Sequence, residues 1–240
     1  MNSSPLYYVL LSGGVDSTTA LARAIDLNGA EDVRAVSIDY GQRHKKELES
    51  AAKIAEHYAI PHEIMPISLP RTMLTDPSIP VPHISYSEIV GVSPTYVPFR
   101  NGTMLSMLTS LIAGRHLDPT KKDDPDFNRD ILIFWGAHAD DAAGGAYPDC
   151  TLEFIGAMSC AIDIGTYHKV RVVAPFGAMY KDEIIRQGYK LGAPYDLTYS
   201  CYAGGDLHCG ECATCRARKE AFRLAGVPDP TIYENAKERA

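Results

Sequence analysis

Residues 10–20 read LLSGGVDSTTA. The apolar run LYYVLL (6–11) breaks at Ser12-Gly13-Gly14, and the chain then takes on helical character over 16–27 until Asn28-Gly29 stops it. A glycine-rich turn between a first strand and a helix aims backbone N–H groups and the positive helix end at one spot, where a phosphate or pyrophosphate sits. Ser12, Ser17 and Thr18 add hydroxyl donors. Two familiar nucleotide loops are excluded: no Lys follows the second glycine as in G-x-x-x-x-G-K-[ST], and G-x-G-x-x-G is absent. Asp16 is the odd member, because a carboxylate repels phosphate. Its bland role is to favour the helix dipole from the first turn, worth about 0.3–1 kcal/mol.

Working outward, VRAVSID (33–39), HEIMPI (62–67), ILIFWG (131–136) and VRVVAPF (170–176) read as four further strands. Helical spacing fills 45–58, 102–116, 153–164 and 181–191 between and after them. Strand and helix in alternation predict an α/β fold, a doubly wound, mostly parallel five-stranded sheet, with ligands beyond the carboxyl ends of its strands. Prolines at 70, 77, 80, 82, 94 and 98 predict a long covering loop over 70–98, and 118–130 reads as a solvated excursion. The expected organisation is a nucleotide-binding α/β domain over 1–195 and a small helical zinc-binding region over 196–240.

With 23 Lys and Arg against 30 Asp and Glu, the chain carries a net charge of −7. A broad nucleic-acid footprint needs a basic face, so direct nucleic-acid binding is not expected. No segment joins a basic leader to a long apolar stretch, so the expected compartment is the cytoplasm. A homodimer is the default expectation for such an enzyme.

Four of the six cysteines crowd together as Cys201, Cys209, Cys212 and Cys215, spaced C-x₇-C-x₂-C-x₂-C. Four thiolates at that range suit tetrahedral Zn²⁺, and a closed Cys₄ site is structural, with no open position for a zinc-bound nucleophile. An iron–sulfur cluster is the rival, though the fourth cysteine and proline of the ferredoxin run are missing. His208 reads as a bystander, and Cys150 and Cys160 as small packing residues.

The SGGxDS loop resembles the signature of the PP-loop ATP pyrophosphatases. Further blocks narrow it: YGQRH (40–44), VPFRN (97–101), YPDC with EF (147–154), KDEI (181–184), SCY and the cysteine cluster. Together they resemble the QueC family of 7-cyano-7-deazaguanine synthases, from about residue 6 to residue 233.

That resemblance implies an ATP-dependent, zinc-containing C–N ligase that turns 7-carboxy-7-deazaguanine and ammonia into the nitrile, on the way to queuosine and archaeosine. It implies Asp16 as the ligand of Mg²⁺ on the leaving pyrophosphate, and Lys181 near the nucleotide phosphates. Leu11, Ser12, Gly13, Gly14, Ser17, Thr18, Tyr40, Gln42 and Arg43 are the expected nucleotide contacts. Arg100 is expected to pair with the 7-carboxylate, beside Asn101, Tyr147 and Phe154.

A guanine-like edge presents two adjacent donors that one carboxylate can accept, so the pocket needs an Asp or Glu. Asp149 is the first candidate, with Asp141 and Asp140 behind it. His138, in GAHADD, reads as a structural histidine with a lesser claim as proton acceptor. Three alternatives stay open on the residues: a relative that stops at an amide, a PP-loop enzyme acting on tRNA, and a zinc-stabilised binding module without turnover. Thr151, AHADDAAGGA and residues 118–130 depart from the family pattern.

Overall fold

The computed structural model describes residues 4–42, 45–69, 96–143 and 146–234. Most of the proline-rich loop, Arg43 and part of AHADDAAGGA therefore lie outside the described residues. Five strands, β1 (Leu6–Leu10), β2 (Val33–Asp39), β3 (His62–Pro66), β4 (Ile131–Phe134) and β5 (Val170–Val173), form one sheet in the order β3-β2-β1-β4-β5. All four pairings are parallel, with Val9 beside Ala35 and Tyr8 beside Ile133. The expected α/β sheet is thus present, and wholly parallel among the described residues.

Side chains alternate across the sheet as strand geometry requires. Leu6 and Tyr8 of β1 join a core with Leu105, Leu108 and Ile112 of α3 (Arg100–His116) and Ile162 of α5 (Leu152–Gly165). Tyr7 and Val9 face the opposite way, onto Leu21 and Ala24 of α1 (Val15–Asn28), Ala51 and Ile54 of α2 (Lys46–His57) and Ile184 of α6 (Lys181–Lys190). Helices therefore cover both faces. The order reverses at β1 and β4, so the crevice beyond their carboxyl ends is the switch point where such sheets bind ligands.

The short α4 (Ala139–Ala142) leads out of β4, an element absent from the sequence reading. Helix α3 begins at Arg100, two residues earlier than its apolar spacing indicates, because Asp149 accepts the Asn101 amide hydrogen and completes a turn that spacing does not register. The last helix, α7 (Ala213–Ala225), packs Ala221 and Phe222 on Val15 and Ile185, so the cysteine-bearing end shares a core with α1 and α6. Among the described residues no helix is long and apolar enough to cross a membrane.

Candidate active site

The loop after β1 is tied to the head of α1 by its own hydroxyls. The Ser12 amide donates to Ser17 Oγ at 3.1 Å, and Ser17 Oγ and Thr18 Oγ1 donate to the Gly14 carbonyl at 3.2 and 2.7 Å. Gly13 has φ +84°, and a Cβ there would stand 2.3 Å from the Glu47 carbonyl oxygen. Only glycine lets the first turn of α2 close on the loop. On the other side, a Cβ on Gly136 would meet the Asp16–Ser17 backbone at about 3.0 Å, so the exit of β4 packs directly on the head of α1.

That contact gathers charge at the switch point. Asp16 Oδ2 accepts from Lys181 Nζ at 2.8 Å, and His138 Nε2 lies 3.5 Å from both Asp16 Oδ2 and Asp141 Oδ2. Burial alone would raise the Asp16 carboxyl, but Lys181 and His138 outweigh it and hold the group well below the usual carboxylate range. Burial works against charge on Lys181 and His138 too, and the surrounding carboxylates keep both raised. Asp140 Oδ2 accepts the Lys181 backbone N–H at 2.6 Å and so fixes the first turn of α6.

Asp16 Oδ1 is buried without a hydrogen-bond partner among the described residues. A buried carboxylate oxygen facing nothing, with Asp141 across His138, suits a hard divalent cation that prefers oxygen donors. The residues present fit Mg²⁺.

A second group of residues meets at the heads of α3 and α5. Asn101 donates its backbone N–H to Asp149 Oδ2 at 3.0 Å and its side-chain amide to Cys150 Sγ at 3.3 Å, joining VPFRN to YPDC. Asp149, only 4% exposed, thus satisfies an orphan donor of α3. Burial drives the Cys150 thiol above its ordinary range, so it is neutral. Thr151 caps α5 by accepting from the Phe154 amide at 3.2 Å, which gives this departure a local structural reason. Arg100 donates to Tyr40 OH at 3.4 Å, its guanidinium 5.9 Å from the Tyr40 ring centre. Its charge persists through burial with Tyr40, Tyr202 and Glu47 around it, and it forms no ion pair among the described residues.

Gln42 accepts from the Tyr40 amide at 3.0 Å and donates to the Ile38 carbonyl, so it shapes the exit of β2. Tyr147 lies 6.5 Å from Tyr96, ring centre to ring centre. Phe154 meets Phe99 and Trp135 edge to face at 5.6 and 6.4 Å. Phe99 has φ +55° and is half-exposed, a conformation that an aromatic residue rarely adopts. Phe99, Trp135 and Glu47 were not singled out from sequence; the positive φ and the sheet-end placement that mark them exist only in three dimensions.

The four predicted cysteines converge, their Sγ atoms all within 4.8 Å of one another. Cys201–Cys212 and Cys209–Cys215 stand 4.0 and 3.9 Å apart, close to the ~3.8 Å edge of a tetrahedron with Zn–S bonds of about 2.3 Å. Backbone N–H groups of Ala203 and Cys209 point at Cys201 Sγ, and those of Glu211 and Cys212 at Cys209 Sγ. His208 Nε2 accepts from the Ser200 amide at 3.0 Å and lies outside the cluster, the bystander expected. The Tyr199 amide donates to the Gly13 carbonyl at 2.9 Å, tying this region to the phosphate loop.

A family model described as "Queuosine biosynthesis protein QueC" matches residues 7–226. The chain belongs to the QueC family. It is 41% identical to a 7-cyano-7-deazaguanine synthase of Thermoplasma acidophilum over 234 residues, covering 94% of this chain and 91% of that one. It is also 41% identical to a protein of the same name from Caldicellulosiruptor saccharolyticus, covering 94% of each. A third, from Methanoculleus marisnigri, is 41% identical over 94% of this chain and 97% of its own. Within the QueC family this chain places its glycine loop, Asp16, His138 and Lys181 at one sheet end, with Arg100 beside Tyr40 at the neighbouring strand exit.

Proposed function

We propose that the chain is an ATP-dependent 7-cyano-7-deazaguanine synthase, converting 7-carboxy-7-deazaguanine and ammonia to the nitrile in deazapurine biosynthesis. The observation that carries this reading is the pairing of Asp16 with Lys181 at the switch point, with Asp16 Oδ1 buried and unpartnered. A triphosphate held by the loop amides, Ser12, Ser17 and Thr18 lies against the Lys181 ammonium and the Asp16 carboxylate. Asp16, with Asp141 behind it, would hold Mg²⁺, which when bound neutralises charge on the leaving pyrophosphate.

The chain's own groups do the rest by positioning and electrostatics. Arg100 receives the 7-carboxylate in a two-pronged pair, which its lack of a carboxylate partner among the described residues leaves it able to do. The carboxylate oxygen attacks the α-phosphorus and pyrophosphate leaves toward Lys181. Ammonia displaces AMP to give the amide, and a second ATP activates the amide oxygen so that its loss leaves the nitrile. The cysteine site, closed by four sulfurs, serves the fold and would hold zinc.

Asp149 reads the guanine-like edge in this scheme through Oδ1, since Oδ2 already accepts the Asn101 amide, with Asp141 as the second candidate. Asn101, Tyr147 and Phe154 frame the ring, and Leu11, Tyr40 and Gln42 the nucleotide. Mass spectrometry of products from the acid, ammonium and ATP tests the reading. Nitrile with AMP and pyrophosphate is expected; an amide as sole end product, or release of ADP, would overturn it.

A further inference from the structure

Phe99 directly precedes α3 and has no part in the scheme above. Its φ of +55° lies in a backbone region that glycine enters freely and phenylalanine enters at a cost. Its neighbours hold it there. The Phe99 amide donates to the Tyr96 hydroxyl at 3.1 Å, and its carbonyl accepts from the Thr103 amide at 3.0 Å. One side of the ring rests on Gly102, where a Cβ would stand 2.3 Å from Phe99 Cε1, so glycine at 102 makes its seat. The Phe154 ring meets it at 5.6 Å and 81°, and Trp135 backs Phe154 in turn. Trp135 is 7% exposed and Phe99 51%, so this row of three rings opens to solvent at Phe99.

The two residues that follow carry the polar anchors of the scheme. Arg100, which receives the 7-carboxylate, donates to Tyr40 OH at 3.4 Å, and the Asn101 amide donates at 3.0 Å to Asp149, which reads the opposite edge of the base. A bicyclic acid held at both ends by these groups spans the head of α3, where Phe99 is the half-exposed apolar surface. Tyr96, the hydroxyl on the Phe99 amide, stands 6.5 Å from Tyr147, ring centre to ring centre, so the strained turn is tied to a second aromatic side chain of the pocket. We propose that Phe99 is the stacking platform for the deazapurine ring and selects a flat bicyclic acid over other carboxylates. This rests on the synthase reading. An aromatic side chain suits a planar heterocycle because both surfaces leave water and their offset π-systems attract, with no hydrogen bond required. Backbone strain concentrates where a residue clamps a ligand, and a phenylalanine in place of the glycine that this φ favours supplies such a surface.

Calorimetry separates this role from packing at the helix head. With Mg²⁺ and α,β-methylene-ATP present, Phe99→Leu keeps apolar bulk without a π-face and is expected to weaken binding of 7-carboxy-7-deazaguanine about 10-fold. Phe99→Gly, which suits the left-handed backbone, should lose as much, and Phe99→Tyr should bind the acid as wild type does. In turnover the same loss should appear in the KM for the acid, with kcat at saturating acid and the Kd for ATP near wild type. Acid affinity unchanged in Phe99→Leu and Phe99→Gly, acid and ATP affinity falling in parallel, or Phe99→Tyr as weak as Phe99→Leu would overturn the proposal. Absence of acid-dependent exchange of labelled pyrophosphate into ATP by the wild-type enzyme would instead overturn the synthase reading itself.

Discussion

Lys181 donates its ammonium to Asp16 at 2.8 Å although 165 positions separate them in the chain. The sheet order creates this pair: β5 sends α6 back over α1, and both helix heads open at the β1–β4 switch point. Lys181→Ala should lower turnover about 10²–10³-fold, the usual cost of removing one preorganised charge from a transition state. Asp16→Asn should abolish acid-dependent pyrophosphate exchange while circular dichroism stays native. Exchange at wild-type rate in Asp16→Asn would remove the cation-binding role.

Arg100 tests recognition of the acid. Lysine keeps the charge but loses the planar fork, so Arg100→Lys should raise the KM for the carboxylate substrate about 10- to 100-fold. The KM for ATP should stay close to wild type. Equal effects on both constants in steady-state kinetics would mean that Arg100 serves the loop rather than the acid.

The Cys201, Cys209, Cys212 and Cys215 cluster predicts one zinc per chain by elemental analysis. Chelation should lower Tm by about 5–10 °C, since metal binding to preformed thiolates contributes directly to folding. Because the Tyr199 amide holds the Gly13 carbonyl, ATP affinity measured by calorimetry should weaken in the same preparation. Unchanged ATP affinity after complete zinc removal would show that the two regions are independent.

Arg218 is fully buried on α7, its guanidinium on Asp229, the Thr198 hydroxyl and the Tyr195 carbonyl. Burial would raise the Asp229 carboxyl, but Arg218 and the Tyr233 hydroxyl lower it. A folded-state value below the unfolded one, about 3.9, contributes stability that is present above that pH and lost as pH falls through the folded value. Asp229→Asn should therefore cost about 3 kcal/mol in denaturant unfolding at neutral pH, by leaving Arg218 unpaired. Its acid unfolding curve should also be flatter than wild type below about pH 4. An identical acid curve would place the acid sensitivity elsewhere.

Much of the site was legible from local pattern. The strand, the Gly13-Gly14 break and the hydroxyls of Ser12, Ser17 and Thr18 are consecutive, and their hydrogen bonds close within six residues. The cysteines lie within fifteen residues, so spacing alone brings their sulfurs together. A carboxylate after YP carries no local sign that it also accepts from the backbone of Asn101, 48 positions earlier, at the head of α3. Nor does KELES mark Glu47 as different from any solvated glutamate at a helix start.

Sequence by itself determined the alternation of strand and helix, the glycine loop and the cysteine cluster, because each depends on residues within one turn or one short loop. Tertiary structure alone decided which carboxylates keep free oxygens and which cap helices, and which cations they face. Those outcomes depend on the crossing of α6 over α1 and the approach of α2 to Gly13, and desolvation at such contacts acts between residues that the linear chain keeps far apart.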